Sequence, residues 1–356
     1  MDEINVALLY GGPSAEHNVS LMSARSVLNN IDLDDIVWQP IAISKNGYWL
    51  DKDVSHKLLV EEYSQVPDSL EQNYKTKWLS IKENFSDDID IVFSLLHGPY
   101  GEDGTLQGFL EIVNIPYVGS NVTTSAVCMD KIFAKDILAQ NGFPQAQYIT
   151  FSCKNLNNKD ALNKIKDKII SEIGLPCFIK PASLGSSLGI SKVKNESEIL
   201  PALQQAKKFE ERIIIEEAIN GREIECSVRG SQENCRASLP GEIIPDREFY
   251  DYEAKYFSNE TELIAPAELK QETVEHIQKL AVRAFRLLGG EGLARVDFFL
   301  TDSNEVLINE INTIPGFTER SMYPKMWEAS NCSYENLVAS LLKSALKNNG
   351  YSFHSK

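Results

Sequence analysis

The first hundred residues alternate short apolar runs with glycine turns and a stretch of helical periodicity. Residues 4–10 are mostly apolar and are followed by a glycine pair. Residues 15–29 then repeat apolar side chains at helical spacing. Two more apolar runs follow at 38–43 and 89–96, whereas residues 51–86 are polar, weakly periodic and interpreted as a surface excursion. Short buried strands that alternate with helices favour an open parallel sheet, whose ligands gather beyond the carboxyl ends of its strands. The sequence therefore predicts an α/β fold.

The rest of the chain predicts further helices and strands without internal repeats. A helix is expected over 123–140, with apolar residues such as Phe133 on one face and Lys131 and Lys135 away from that face. Residues 152–173 predict a helix with a polar face. Strands are expected at 176–180, 190–193, 213–215, 223–228, 293–300 and 305–309, and helices at 272–288 and after residue 334.

Charge and cysteine content limit the classes of protein that the chain can represent. Among 356 residues, 35 are Lys or Arg and 51 are Asp or Glu, which gives a net charge of −16 at pH 7. That charge repels nucleic acid and anionic membrane surfaces, and no apolar run approaches the ~18 residues of a membrane span. The six cysteines form no Cys-x-x-Cys pair, and the start lacks the regions of a signal peptide. We expect a cytoplasmic enzyme with reduced thiols that binds neither nucleic acid nor membrane.

Two pairs of polar residues stand on apolar strands near the end of the chain. Residues two apart share one face of a strand, so Arg295 points with Asp297, and Glu310 points with Asn312. Two carboxylates and an amide oxygen on neighbouring strands form an oxygen-rich site that suits Mg²⁺, with phosphates completing the coordination. Each pair alone is more typical of a solvated strand face with an Arg–Asp ion pair. The apolar flanks, however, indicate that these carboxylates are partly buried and need a counter-charge.

A loop of small residues, 182–189, joins two of the expected strands. Its backbone N–H groups can close over phosphates, and Lys180 supplies a point charge from the preceding strand. The loop is not a P-loop, because the Gly-Lys-Ser/Thr ending is absent and the lysine precedes the glycines. By itself such a loop is more typical of a plain hairpin connection. The absence of any Gly-x-Gly-x-x-Gly disfavours a dinucleotide-binding enzyme.

Three further segments contain residue types typical of binding loops. Residues 97–105 end a buried strand and can open a helix at Thr105 whose N–H groups would bind a carboxylate, although a plain glycine turn is an equal alternative. Residues 250–256 are too polar for a core strand and predict a loop or lid. Gly316 follows the predicted metal strand, where its N–H can reach a reacting centre.

Together and in this order, these segments resemble the D-alanine–D-alanine ligases of the ATP-grasp superfamily. The resemblance covers essentially the whole chain, and although any one motif is weak evidence, seven in one order make coincidence implausible. The motifs are Gly11-Gly12-x-Ser14-x-Glu16-His17-x-Val19-Ser20, Leu96-His97-Gly98 with Gly101-Glu102-Asp103-Gly104-Thr105, Met129-Asp130-Lys131, Lys180-Pro181 with Gly185-Ser186-Ser187-x-Gly189, Glu253-Ala254-Lys255-Tyr256, Arg295-x-Asp297, and Asn309-Glu310-x-Asn312-x-x-Pro315-Gly316-x-Thr318.

The resemblance implies a three-domain ATP-grasp architecture. An N-terminal open parallel-sheet (preATP-grasp) domain over 1–120 would precede two α+β domains, over 121–216 and 217–356, that grip ATP, with a lid loop near 246–262. The implied reaction joins two D-alanines through a D-alanyl phosphate into D-alanyl-D-alanine for peptidoglycan precursor synthesis, with release of ADP and phosphate. A homodimer is implied as well.

The resemblance also implies a role for each matching residue. Two Mg²⁺ ions, which Mn²⁺ can replace, would be held by Asp297, Glu310 and Asn312. ATP would be bound by Lys131, Lys180, Ser187, Glu216, Glu223, Lys255 and Asn309. The catalytic residues would be Glu16, Ser186, Tyr256, Arg295 and Gly316. Substrate contacts would come from His97, Ser321 and Met322.

Tyr256 bears on the second substrate. A tyrosine at this position resembles the class that makes the Ala-Ala dipeptide, and its hydroxyl is expected to bond with Glu16 and Ser186. The alternatives within the superfamily are D-alanyl-D-serine and D-alanyl-D-lactate ligases. An ATP-binding regulatory protein is a further alternative, which the intact Arg295 opposes because nucleotide retention needs no oxyanion donor. A nicotinamide-dependent dehydrogenase is disfavoured for want of the glycine fingerprint.

Overall fold

The computed structural model describes residues 3–85, 88–245 and 261–348. Within these ranges the chain forms one parallel sheet, two antiparallel sheets and eleven α-helices. In the same ranges, every helix falls short of the length and apolar character that crossing a bilayer requires.

The N-terminal sheet contains β1 (Ile4–Gly11), β2 (Ile36–Ile43) and β3 (Ile91–Ser94). The strands are parallel in the order β2–β1–β3, which confirms the parallel sheet predicted from the apolar runs. α1 (His17–Asn30) follows β1 after the glycine turn. β1 is buried over most of its length, as expected for a central strand covered on both faces.

The interpretation of residues 51–86 as a surface excursion is wrong. This segment forms α2 (Lys52–Val60) and α3 (Lys77–Asn84), and Leu58 and Val66 join the core beneath the N-terminal sheet. Short helices with two or three apolar residues show little periodicity within a polar sequence. Those few residues are nevertheless enough to dock the segment on the sheet.

After α4 (Thr105–Ile112), the helix predicted over 123–140 forms as two helices. α5 (Val122–Met129) ends at Asp130, and α6 (Lys131–Gln140) begins directly after it. The Asp130 carboxylate accepts two backbone N–H groups of the first turn of α6, at 3.0 and 3.1 Å. An aspartate in this position satisfies the unpaired donors of a new helix, which explains why the chain breaks here.

The break also makes the predicted apolar face of this region wrong. Phe133 is 53% exposed, whereas Lys135, predicted to lie away from the packed face, is only 2% exposed. The prediction applies one helical period to the whole of 123–140. Because the helix is interrupted at Asp130, that period predicts the wrong buried face for α6. α6 therefore turns a lysine, and not a phenylalanine, into the protein.

The central sheet is antiparallel and has an order of β4–β7–β5–β6 across its width. Its strands are β4 (Tyr148–Ser152), β5 (Cys177–Pro181), β6 (Ser191–Val193) and β7 (Arg212–Glu217). α7 (Lys159–Lys168) and α8 (Ile199–Lys207) share a core with one face of this sheet. The helix predicted over 152–173 is shorter than expected, since its first residue ends β4 and residues 169–173 form a π-helical turn.

The C-terminal sheet is antiparallel and agrees with the predicted strands to within a few residues. Its strands are β8 (Gly221–Gly230), β9 (Arg236–Ala237), β10 (Gly241–Ile244), β11 (Glu262–Ile264), β12 (Gly292–Thr301) and β13 (Val306–Asn312). The order is β11–β10–β8–β12–β13, with β9 paired to β8. The helices of this region are α9 (Gln271–Leu287), α10 (Met322–Ala329) and α11 (Tyr334–Asn348).

One hydrophobic core joins the N-terminal sheet to the last two helices. Val6 and Phe93 of the sheet pack in it with Tyr323 of α10 and Leu342 of α11. The central sheet has a separate core. The two ends of the sequence therefore form one packed body. The domain boundaries predicted near residues 120 and 216 stay predictions.

Leu342 tests this shared core, because it is fully buried in it. Leu342→Ala leaves a cavity, and we expect the free energy of unfolding to fall by about 2–5 kcal/mol in denaturant titrations followed by circular dichroism. Leu287→Ala is the matched control, since Leu287 is 36% exposed on α9. A loss no larger for Leu342→Ala than for the control would contradict the shared core.

Candidate active site

A buried carboxylate on the central sheet lies between two lysines. Glu216 of β7 is 2% exposed. Its Oε2 accepts a hydrogen bond from Lys180 Nζ of β5 at 2.5 Å, and its Oε1 lies 3.1 Å from Lys135 Nζ of α6. Three elements of the fold therefore converge on one set of ions. We call Lys135, Lys180 and Glu216 the Glu216 cluster.

The two lysines keep the carboxylate of the Glu216 cluster ionised. Burial opposes ionisation, but the ammonium groups of Lys135 and Lys180 outweigh it and lower the pKa of Glu216 to about 2. Burial lowers the pKa of Lys135, whereas for Lys180 the carboxylate of Glu216 outweighs burial and raises the pKa. The carboxylate of Glu310 and, for Lys180, that of Glu223 also favour the charged forms of these lysines. Lysine ammonium groups are point charges that bind phosphates.

The predicted metal ligands lie together on β12 and β13. Asp297 pairs directly with Glu310, and Arg295 pairs with Asn312, so the four side chains share one face of the sheet. The Arg295 guanidinium donates to both oxygens of Asp297, at 2.7 and 2.8 Å, and lies 3.0 Å from Glu225 Oε1. Burial alone would lower the pKa of Arg295, but Asp297 and Glu225 raise it well above its ordinary value.

The donor types on this face fit a divalent cation. Asp297 and Glu310 supply carboxylate oxygens and Asn312 supplies an amide oxygen, which are ligands that Mg²⁺ prefers. Within the described ranges, no three His, Cys, Asp or Glu side chains are grouped so that they could hold a metal ion by themselves. A cation here would therefore also need the Asn312 amide and the oxygens of a bound phosphate.

A β-bulge lies at Asn309, the residue before Glu310 on β13. Asp297 pairs with Glu310, but Phe298 pairs with Ile308, so Asn309 is an extra residue on β13. Strict alternation would direct Asn309 to the face opposite Glu310, whereas a bulge sets two residues against one and redirects side chains. Bulges of this kind are frequent next to active sites.

Lys131 connects the small-residue loop to the carboxylate face. Its Nζ donates to the backbone oxygen of Leu184 at 2.8 Å and lies 3.3 Å from Glu310 Oε2. Leu184 belongs to the central part of the chain and Glu310 to β13. A single ammonium group therefore ties the predicted phosphate loop to the predicted metal site.

The loop itself is strained at two serines. Ser186 and Ser187 have φ values of 53° and 57°, in the left-handed region that residues other than glycine adopt at a cost. Ser186 is 9% exposed, and within the described ranges its hydroxyl has no hydrogen-bond partner. Backbone strain and a buried polar group without a partner are both typical of a ligand site.

The base of this loop is fastened by residues for which the sequence suggests no role. Ser183 N donates to Glu210 Oε2 at 2.7 Å, and Ser183 Oγ bonds to Asp130 Oδ2 at 3.2 Å. The backbone N–H of Lys131 donates to the oxygen of Ala182 at 2.8 Å. All three contacts join residues far apart in the sequence, so no local pattern reveals them.

Glu16 lies where the N-terminal sheet meets the loop at 185–189. A Cβ built on Gly98 would lie 3.4 Å from Glu16 Oε2, and a Cβ built on Gly185 would lie 3.6 Å from the same atom. Gly98 also has a φ of +74°, so a side chain there would be strained as well as crowded. The structure thus brings Glu16 from the first sheet next to the loop that carries Ser186.

His97 connects the N-terminal sheet to the loop after β13. Its Nδ1 lies 2.9 Å from the backbone oxygen of Ile314 and 3.7 Å from Glu102 Oε1. Burial alone would lower the pKa of His97, but the carboxylates of Glu102 and Glu16 raise it above its ordinary value. Among the described residues, its buried Nε2 has no partner, which leaves it available to a ligand.

The loop after β13 brings Gly316 against Ser321. A Cβ on Gly316 would lie 3.1 Å from Ser321 Oγ, so glycine allows the close approach. Ser321 Oγ accepts the N–H of Thr318 at 3.1 Å and lies 2.8 Å from the Thr318 hydroxyl. The side chain of Met322 is 5% exposed and packs in a small core cluster with Ile243. This side chain therefore belongs to the packed interior of the C-terminal region.

Of the remaining predicted residues, one lies on β8 and two lie outside the described residues. Glu223 lies on β8, close enough to Lys180 to contribute to raising the pKa of that lysine. Lys255 and Tyr256 lie outside the described residues, as does the predicted lid near 246–262 apart from its last two positions. Their predicted roles stay predictions.

Sequence reasoning missed two charged residues of the site, although each had a signal. Lys135 stands four residues after Lys131, a spacing that stacks two helical side chains on one face. Glu225 stands two residues after Glu223 on β8, so the two side chains are expected on the same face of the strand. Glu225 pairs with Asp297 of the neighbouring strand β12. The helix break at Asp130 hid the first of these signals.

Comparisons with known proteins agree with this geometry. Residues 5–120 match the model described as D-ala D-ala ligase N-terminus, and residues 137–343 match D-ala D-ala ligase C-terminus. The chain is 44% identical over 347 residues to a D-alanine–D-alanine ligase of Halothermothrix orenii, which covers 98% of this chain and 99% of that one. A D-alanine–D-alanine ligase of Geobacillus thermodenitrificans is 46% identical over 352 residues, covering 96% and 95%.

Two solved structures have the same fold. The D-alanine–D-alanine ligase from Coxiella burnetii superposes with a TM-score of 0.80 at 36% identity, over 98% of this chain and 95% of its own. The VanG D-Ala:D-Ser ligase from Enterococcus faecalis also gives 0.80, at 33% identity over 97% and 100%. Two antiparallel sheets that bring lysines, a strained loop and paired carboxylates together define a protein of the ATP-grasp fold. The chain belongs to the D-alanine–D-alanine ligase family, which confirms the resemblance found in its sequence.

Glu216→Gln tests the Glu216 cluster. The substitution leaves two buried lysines without their anion, so we expect a loss of about 3–5 kcal/mol in the free energy of unfolding at pH 7. Because the pKa of Glu216 falls from its ordinary 4.5 to about 2 on folding, the carboxylate stabilises the fold above pH 4.5. That stabilisation is lost as the pH falls from 4.5 towards 2.

Urea titrations of the wild type and of Glu216→Gln between pH 7 and pH 3 measure this difference. Glu211→Gln is the control, since its carboxylate is 57% exposed and pairs with Lys154 at the surface. A stability difference for Glu216→Gln that is small, or that does not shrink with falling pH, would contradict the assignment of the cluster.

Proposed function

We propose that this protein joins two D-alanines into D-alanyl-D-alanine with ATP, through a D-alanyl phosphate, and so supplies a peptidoglycan precursor. The observation that carries the proposal is the double contact of Lys131, which ties the strained loop to Glu310. The predicted phosphate loop and the charged face of β12 and β13 are thereby parts of one site. Such a site suits phosphoryl transfer, which depends on positioning and on neutralising charge.

The nucleotide lies between the central and C-terminal sheets. Lys131 and Lys180 contact its phosphates, Ser187 contributes to the loop over them, and Lys255 is assigned to the γ-phosphate. Glu216, Glu223 and Asn309 complete its surroundings. The three lysines that lie together at this site, Lys131, Lys135 and Lys180, support this assignment, because lysine ammonium groups bind phosphates as point charges.

Two Mg²⁺ ions, or Mn²⁺ in their place, are held by Asp297, Glu310 and Asn312. Bound there, they neutralise the phosphates and make the γ-phosphate a better electrophile. Arg295 keeps the Asp297 carboxylate oriented, with contacts of 2.7 and 2.8 Å to its two oxygens. The directly paired carboxylates of Asp297 and Glu310 support a site that spans both strands.

The two D-alanines bind between the carboxylate face and the residues contributed by the N-terminal region and the loop after β13. Glu16 binds the ammonium of the first D-alanine, whose carboxylate attacks the γ-phosphate and displaces ADP to form the acyl phosphate. The neutral amine of the second D-alanine attacks that acyl carbon, and Arg295 with the Gly316 N–H stabilises the oxyanion before phosphate leaves. The remaining substrate and catalytic contacts come from His97, Ser186, Tyr256, Ser321 and Met322.

The protein acts as a homodimer in the cytoplasm. The cytoplasmic assignment is supported by six cysteines that are all unpaired thiols in the structure. Its ligands are D-alanine and ATP, and its net charge of −16 disfavours nucleic acid and anionic membranes as partners.

A D-alanine–D-serine ligase is the second candidate, because the Enterococcus faecalis enzyme superposes as well as the D-alanine–D-alanine ligase does. Release of ADP with Mg-ATP separates the two, with D-alanine alone or with D-serine or D-lactate added and products weighed by mass spectrometry. ADP release with D-alanine alone and the dipeptide mass support the proposed reaction. Product only with D-serine or D-lactate present would replace it, and no turnover would contradict both.

Glu310→Ala tests the carboxylate face. Because Glu310 is assigned to the metal site and contacts Lys131, we expect turnover to fall by at least ~10²-fold with the fold retained. The assay is D-alanine-dependent ADP release, with circular dichroism to check folding. Glu305→Ala is the control, since Glu305 is an exposed residue just before β13. Near-normal turnover in folded Glu310→Ala would remove the metal assignment.

A further inference from the structure

Lys135 is a buried cation to which neither the sequence motifs nor the proposed reaction assigns a role. Its side chain is 2% exposed, which makes it one of the largest fully buried side chains of the described chain. Its Nζ lies 3.1 Å from Glu216 Oε1 and 5.8 Å from the centre of the Tyr148 ring. Burying an ammonium group is costly, so its presence calls for an explanation.

Neutralising Glu216 does not explain Lys135. Lys180 already donates to the other oxygen of that carboxylate at 2.5 Å, so one anion has two cations. The carboxylate of Glu310 also favours the charged form of Lys135, but the short contact of this lysine is with the second oxygen of Glu216. The two ammonium groups therefore lie against different oxygens of one carboxylate and restrict its orientation.

The position of Lys135 on α6 extends this effect. Lys131, one helical turn earlier, reaches Glu310 on β13 at 3.3 Å, while Lys135 reaches Glu216 on β7. One short helix thus contacts a carboxylate of each of the two antiparallel sheets. Asp130, which caps α6 at its first turn, fixes where both lysines point.

We propose that Lys135 is a positioning residue of the nucleotide site: its ammonium fixes the Glu216 carboxylate, and through it the Lys180 ammonium, against the triphosphate. The proposal rests on the proposed function, since it takes ATP as the ligand between the two sheets. Lys135 itself touches no substrate. A purely structural lysine would instead affect stability and both substrates alike.

Lys135→Met tests the proposal, because methionine keeps an unbranched, largely apolar chain and removes the ammonium group. We expect the KM for ATP to rise at least tenfold while the KM for D-alanine stays within twofold of the wild type. Lys154→Met is the matched control, since Lys154 is 70% exposed and pairs with Glu211 at the surface. Equal rises in both KM values, or no rise for ATP, would overturn the proposal.

A double-mutant cycle shows whether Lys135 acts through Glu216. In a Glu216→Gln background Lys135 has no carboxylate to fix, so adding Lys135→Met should change the KM for ATP by less than twofold. A further tenfold rise would show an independent action and overturn the proposal. If Lys135→Met alone does not fold, Lys135→Gln, which keeps a polar group without the charge, takes its place in both arms of the cycle with the same criteria.

Calorimetric titration with a non-hydrolysable ATP analogue separates this proposal from the proposed function. We expect at least tenfold weaker binding to Lys135→Met than to the wild type without any D-alanine present. If the wild type binds the analogue but makes no dipeptide, the proposed reaction fails while the affinity difference still tests Lys135. Unchanged affinity in Lys135→Met would overturn the positioning role even in an active ligase.

Discussion

The buried carboxylate of Glu216, which contacts two lysines, constrains the part of the protein to which the nucleotide is assigned. Glu216 is buried as an anion with two ammonium groups beside it, those of Lys180 and Lys135, because a buried charge without counter-charges costs several kcal/mol. These contacts join β5, β7 and α6. Since α6 also carries Lys131 to Glu310, ion pairs of one helix reach both the central and the C-terminal sheets.

The substrate half depends on packing instead. The N-terminal sheet and the last two helices share one hydrophobic core, so loops from both ends of the chain meet in a fixed relation. Glu16 and His97 come from one side and the loop containing Gly316 from the other, with His97 contacting the backbone oxygen of Ile314 at 2.9 Å. Ion pairs thus organise the site where a polyanion is assigned, whereas apolar packing organises the site where two small amino acids are assigned.

Much of the fold follows from period and composition. The apolar runs predict the parallel strands, and the alternation of Arg295 with Asp297 predicts the shared face that the strand pairing confirms. The errors arise where local signals are weak or interrupted. Residues 51–86 hold too few apolar residues to show a helical period, and the cap at Asp130 turns α6 so that Lys135 is buried and Phe133 exposed.

The sequence by itself determined the order of elements, the family and the residue types of the site, since these depend on local period and on motifs read in order. Tertiary structure alone decided which charges pair. Lys135 with Glu216, Lys131 with Glu310, and Ser183 with Glu210 are contacts between residues far apart in the chain. The energy of a charge depends on burial and on the distance to its partner, and neither quantity exists until the sheets and α6 have packed.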